Sequence, residues 1–181
     1  LRKKELDWFY QYGACKIFPE AWEEFLKPID INDQDNLMSA YHKIFTGDDE
    51  KKKLEAAVAW SKWEGSTSAL SYAPEMVSSF SEPRFALAFA LIENHYFINK
   101  GFLKNENQLI SSNSIDKIRH IPAKIVQGRY DIVCPMETAW ELSKNWPEAE
   151  LIIAPSSGHS AFEKEITHHL INTTNEYGKN K

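Results

Sequence analysis

Apolar side chains recur at helical spacing from the start of the chain to about residue 103, with no alternating run long enough for a strand. Glu5-Leu6-Asp7-Trp8-Phe9-Tyr10 opens a helix that Gly13 interrupts. Phe18-Pro19 starts a second, with Pro19 near its first turn, Trp22, Phe25 and Leu26 on one face, and Pro28 at its end. Asn32-Asp33-Gln34-Asp35 is a cap-like cluster leading into Leu37–Phe45, where Leu37, Met38, Tyr41, Ile44 and Phe45 keep the helical period. Thr46-Gly47-Asp48 stops that helix, and Glu50–Thr67 reads as a long one carrying Leu54, Ala57, Val58 and Trp60. Pro74 and Pro83 bracket an expected loop, and residues 83 to about 97 form another helix.

From Gly101 the pattern changes. Asn105-Glu106-Asn107 and Ser111-Ser112-Asn113-Ser114 are polar connectors around Gln108-Leu109-Ile110. Then come a strand (123–127), a helix (136–145), a second strand (151–154) and a last helix (162 to about 177). The last helix has Ile166, Leu170 and Ile171 on its apolar face and Glu163 to Glu165 with His168-His169 on a mixed polar one; the Lys179-Asn180-Lys181 tail is expected to fray. Two parallel strands cannot form a stable sheet alone, because such sheets are covered on both faces and need more strands. The second half is therefore expected to pack on strands from polypeptide upstream of Leu1, and the sequence reads as the C-terminal part of a longer protein.

Composition narrows the class without changing this picture. The 181 residues are 43% hydrophobic and 26% charged with a net charge of -5, as for a soluble globular chain. With no basic run longer than Lys51-Lys52-Lys53, nucleic acid is not an expected partner. The apolar stretch 85–92 is far too short to span a bilayer, and the first ten residues hold no signal-peptide core. Cys15 and Cys134 form neither a metal-type spacing nor a disulfide framework, so a reduced, cytoplasmic setting is expected. His95, His168 and His169 lack metal-ligand company, and no metal or other cofactor is expected. Aromatic residues reach 13%, most of them before residue 103, which suits either a core or the lining of an apolar pocket.

The candidate chemistry lies at two turns. Gly128-Arg129-Tyr130-Asp131 and Gly158-His159-Ser160 each follow a short apolar run. Taken singly, Asp131 would cap the next helix and His159 would be a surface turn residue. Together, an acid after one strand and a histidine after the next match the last two members of an α/β-hydrolase triad, which runs Ser, Asp/Glu, His in chain order. The nucleophile is missing from the pattern. Gly65-Ser66-Thr67-Ser68 does not fit a nucleophile elbow, Ser156 and Ser157 read as loop residues, and Ser160 adjoins His159 too closely to be activated by it.

Longer motifs carry a family resemblance. Gly128-Arg129-Tyr130-Asp131-Ile132-Val133-Cys134-Pro135, then Ala139-Trp140 and Trp146-Pro147-Glu148-Ala149-Glu150, resemble the proline iminopeptidases, α/β-hydrolases of the prolyl aminopeptidase type. Trp8-Phe9-Tyr10-Gln11, Phe18-Pro19-Glu20-Ala21-Trp22, Trp60-Ser61-Lys62-Trp63-Glu64-Gly65 and Ile92-Glu93-Asn94-His95-Tyr96-Phe97 look like that family's cap. The resemblance runs from about residue 1 to about 175. It lacks the family's N-terminal half, with its oxyanion segment and its Gly-Gly-x-Ser-x-Gly turn.

The resemblance implies removal of N-terminal proline from peptides whose free amine the cap recognises through Glu64 and Glu93. Glu93 stands four residues from both Phe89 and Phe97, and Glu64 four from Trp60, so both carboxylates belong to aromatic faces. A carboxylate there is costly unless paired, whether by a substrate ammonium or by a neighbouring Arg or Lys. Tyr10 and Phe97 would wall the pyrrolidine pocket by the same resemblance, or be plain core aromatics. Cys134, three residues past Asp131, is placed beside the site without being the nucleophile.

The fold expected is thus an α/β-hydrolase fragment, with a helical cap over residues 1–103 and the C-terminal part of the hydrolase domain over 104–181. The activity implied is that of a serine aminopeptidase acting on peptides with a free N-terminal proline; this chain alone is expected to be inactive. Two rivals stay open: another capped hydrolase, such as an esterase or epoxide hydrolase, and a truncated module that binds peptides or partners. Exposed strand edges leave self-association open as well.

Overall fold

Residues 1–179 are described by a computed structural model, in which the helical period of the first half becomes a bundle around one long helix. The helices are α1 (Lys3–Asp7), α2 (Pro19–Leu26), α3 (Leu37–Phe45), α4 (Glu50–Thr67), α5 (Pro74–Phe80) and α6 (Pro83–Ile98). The long helix expected over Glu50–Thr67 is α4. Its second half is largely buried, with Ala56, Ala57, Trp60, Ser61, Trp63, Glu64, Gly65 and Thr67 out of solvent and Lys62 exposed. It packs against α2, α3, α5 and α6, which explains why no single apolar stripe marks it.

The start of the chain widens into a π-turn, Trp8–Tyr12, closed by Gly13 N–H donating to the Trp8 carbonyl at 3.0 Å. This turn lets two adjacent side chains, Phe9 and Tyr10, both be buried. Gly13 is required by proximity, since a Cβ there would stand 2.2 Å from the Trp8 ring.

The loop expected between Pro74 and Pro83 is instead the helix α5, a correction to the sequence reading. Pro74 sits at its first turn, where the missing N–H costs nothing. Gly65 on α4 lets it approach, with Phe80 Cβ only 3.0 Å from where a Gly65 Cβ would lie. Tertiary packing thus overrides the weak helix propensity of Ser78-Ser79.

The chain forms two compact units, Leu1–Thr67 with Tyr72–Glu106, and Ser68–Ser71 with the chain from Asn107 onward. In the second unit a short helix, α7 (Ser112–Ile115), lies in the polar connector. Then follow β1 (Lys124–Gly128), α8 (Met136–Asn145), β2 (Glu150–Ala154) and α9 (Lys164–Lys179). The last helix starts two residues later than its apolar pattern suggested. Lys179 closes it, and the rest of the expected frayed tail, Asn180 and Lys181, lies outside the described residues.

The strands pair in parallel, Ile125 beside Leu151, Val126 beside Ile152, Gln127 beside Ile153 and Gly128 beside Ala154. With α8 between them they form a β-α-β unit, so the chain is α/β, mostly helical with a small parallel sheet. Of the strand residues only Gly128 and Ala154 are fully buried. Ile125, Val126, Leu151, Ile152 and Ile153 stay partly exposed, whereas parallel strands are normally covered on both faces. No helix among the described residues is long and apolar enough to cross a membrane.

Candidate active site

The parallel register brings the ends of β1 and β2 level, so the turns that follow them meet. Arg129 N–H donates to the Ala154 carbonyl and Tyr130 N–H to the Ser157 carbonyl, both at 2.9 Å. Gly128 makes this possible. A Cβ on it would stand 1.9 Å from the Gly158 carbonyl oxygen and 2.7 Å from that of Ser157.

Across this contact His159 Nδ1 lies 3.0 Å from Asp131 Oδ2 and 3.2 Å from Oδ1. A carboxylate only accepts, so Nδ1 carries the proton and Nε2 is left for a reacting partner. The Asp131 side chain is 5% exposed, and an anion so buried needs donors. It has them. Cys134 N–H donates to Oδ1 at 2.7 Å and Gln127 Nε2 to Oδ2 at 2.8 Å. Gln127 Nε2 also donates to the Cys134 carbonyl at 3.0 Å, so both its partners are acceptors and its amide orientation is fixed. Burial by itself opposes a charged imidazole. The hydrogen bonds with Asp131 and with the Cys134 side chain outweigh it, and His159 is pushed up from 6.5 to about 10.

The serines dismissed on sequence have loop duties. Ser160 Oγ accepts from Phe162 N–H at 3.2 Å, and Ser157 Oγ donates to Glu165 at 3.3 Å. The Ser68 carbonyl accepts from both His159 N–H and Ser160 N–H, at 3.1 and 2.8 Å.

The other expected site residues lie in the first unit. Glu64, 4% exposed, accepts a hydrogen bond from the Tyr10 hydroxyl. Glu93 accepts from Trp60 Nε1 at 2.9 Å. The Tyr10 and Trp60 rings stack with centroids 4.5 Å apart, and Phe97 packs 5.6 Å from Tyr10. Both carboxylates are therefore attached to one aromatic pair. Tyr10 and Phe97, with Leu6, Gln11, Met38 and Ser39, help line a cavity of about 570 Å³ whose walls do not include Glu64 or Glu93.

Asp131, His159 and Cys134 are thus brought together in one unit, and Glu64, Glu93, Tyr10 and Phe97 are linked in the other. Sequence reading missed Gln127, Trp60, Glu163 and Glu165. Only Gln127 left a signal, a polar residue closing the apolar run Ile125-Val126. Among the described residues no cluster of three His, Cys, Asp or Glu side chains could hold a metal ion.

No family model matches the chain. It is similar to a proline iminopeptidase of Xanthomonas citri, 50% identical over 177 residues, which is 98% of this chain and 56% of that protein. It is likewise 50% identical to a probable proline iminopeptidase of Leptolyngbya boryana over 177 residues, 54% of that protein. With a proline iminopeptidase of Arabidopsis thaliana it shares 51% identity over 172 residues, 94% of this chain and 45% of the other. The chain spans about half the length of the relatives it matches.

Proposed function

We propose that this chain is the helical cap and C-terminal part of a proline iminopeptidase, an α/β-hydrolase that releases N-terminal proline from peptides through an acyl-enzyme. In this reading the cap comprises residues 1–103 and the hydrolase part residues 104–181. The hydrolase nucleophile and oxyanion hole come from polypeptide outside this sequence. The observation that carries the reading is the Asp131–His159 pair at the level ends of two parallel strands, in a chain half identical to proteins of that name.

His159 takes the proton of the serine hydroxyl as the hydroxyl attacks the prolyl carbonyl, and gives it to the departing amine. The shortened peptide leaves first, carrying that proton. Water, deprotonated by the same imidazole, then cleaves the prolyl ester and frees proline. Asp131 holds the ring in the Nδ1–H tautomer and stabilises its cation. A base must be neutral to act, yet His159 in this chain is a cation below about pH 10, with its side chain 38% exposed. Covering the ring on completion of the site adds desolvation, which lowers that value toward the working range. Glu64 and Glu93 take the substrate's free imino group, and Tyr10 and Phe97 flank the pyrrolidine ring. The thiol of Cys134, exposed and hydrogen-bonded with His159, makes bulky thiol reagents inhibitory by obstruction.

The test is turnover of a prolyl amide and its N-acetylated form by the product of the complete reading frame. A site built to pair a charged amine rejects the blocked analogue by about 10⁴-fold. Equal turnover of both, or hydrolysis of a simple ester in preference to either, would favour another capped hydrolase and remove Glu64 and Glu93 from recognition.

A further inference from the structure

The loop that carries His159 is fastened by Glu163, just before the helix that follows it, and by Glu165 in the first turn of that helix. Glu163 Oε1 accepts from Gly158 N–H at 2.7 Å and from Leu70 N–H at 3.4 Å. Glu165 Oε2 accepts from Ser156 N–H at 2.9 Å and from Ser157 Oγ at 3.3 Å. The three residues before His159 are therefore each bonded to one of these two carboxylates. The two residues His159 and Ser160 are held from the main chain by the Ser68 carbonyl. Gly158 fits this arrangement, since a Cβ on it would stand only 3.0 Å from Glu163 Oε1 and 3.0 Å from Leu70 N. A side chain there would crowd both the carboxylate and the Leu70 main chain.

Acidic residues just before a helix or in its first turn ordinarily serve its own unpaired N–H groups and its dipole. Here the carboxylates reach backwards and bind the preceding loop. The imidazole is affected in turn. Hydrogen bonding falls off steeply beyond its normal length, so the 3.0 Å contact between His159 and Asp131 depends on where the loop sits.

We propose that Glu163 and Glu165 are positioning residues for His159: they clamp residues 156–158 and so hold the imidazole within reach of Asp131. The proposal rests on the reading of His159 as the proton carrier, but its geometry is testable in this chain without turnover. The clamp works through hydrogen bonds accepted by the carboxylates, not through their charge.

The experiment is an NMR titration of the His159 ring in the wild-type chain and in E163A, E163D, E163Q and E165A, with circular dichroism to report folding. E163A and E165A lower the His159 midpoint by about one unit or more, because the ring loses its fixed partner. E163D, which keeps the charge but shortens the reach, behaves as E163A does. E163Q stays close to wild type, because its amide oxygen still accepts from Gly158 N–H. A folded E163A or E163D that titrates as wild type, changing thermal stability alone, overturns the clamp; if E163A does not fold, E163D decides. An E163Q midpoint as low as that of E163A also overturns it, since charge would then be the cause. A wild-type midpoint near 6.5 would instead remove the Asp131–His159 pairing, and with it the functional reading. A raised midpoint indifferent to Glu163 and Glu165 removes the clamp only.

Discussion

Asp131 is a buried carboxylate met by three donors: one main-chain N–H, one side-chain amide and one imidazole. The cost of burying it is met by those three donors, and its presence is what holds His159 as a cation. D131N removes the anion while keeping the shape, so the His159 midpoint should fall from about 10 toward 6.5. The sign for stability follows from the raised value. Pairing favours the folded chain fully below the unfolded histidine value, near 6.5, and its contribution is lost as pH rises through about 10. Denaturant unfolding across that window should show wild type losing stability and D131N losing less. Equal pH dependence in the two proteins would mean that the pair does not couple to folding. At this scale Asp131 and His159 were legible because each follows an apolar run and a glycine. Glu163 and Glu165 were not, because they bind mostly main-chain N–H groups of the preceding loop, which leave no mark in sequence spacing.

The element that organises the second unit is the meeting of two strand ends, and glycine at 128 is its steric condition. A Cβ on Gly128 would meet backbone, not a yielding side chain, at 1.9 Å. G128A should therefore destabilise this unit by about 3 kcal/mol or more and separate Asp131 from His159. The check is urea unfolding of the variant together with its histidine titration. Wild-type stability and a raised midpoint would mean that the turns need not touch. Helix α4 and both strands were readable from apolar runs bounded by turn residues. Helix α5 was not, since Pro74, Ser78, Ser79 and Pro83 all argue for a loop and only packing on Gly65 decides otherwise. Likewise Glu64 and Glu93 were readable as carboxylates on aromatic faces, whereas their actual donors, Tyr10 and Trp60, were visible only in three dimensions.

Over the whole molecule, burial is uneven. The first unit encloses Phe9, Tyr10, Phe25, Tyr41, Phe45, Trp60 and Trp63, while the large apolar side chains fully buried in the second are Ile115 and Ile166. Apolar area sets most of the stabilisation, so the second unit should open more easily. Hydrogen exchange should be faster at Val126 and Ile152 in the strands than at Trp60 and Trp63 in α4; equal protection would show a sheet already complete in this chain. If the chain is the C-terminal part of a serine peptidase, polypeptide outside this sequence completes both the sheet and the triad, and His159 is the base that activates the serine. The most direct test is labelling of the complete reading frame's product with a fluorophosphonate, in wild type and H159A, followed by mapping of the modified residue. One modified serine outside the 181 residues, with labelling lost in H159A, is the expected result. Labelling of a serine within them, or undiminished labelling without His159, would contradict it.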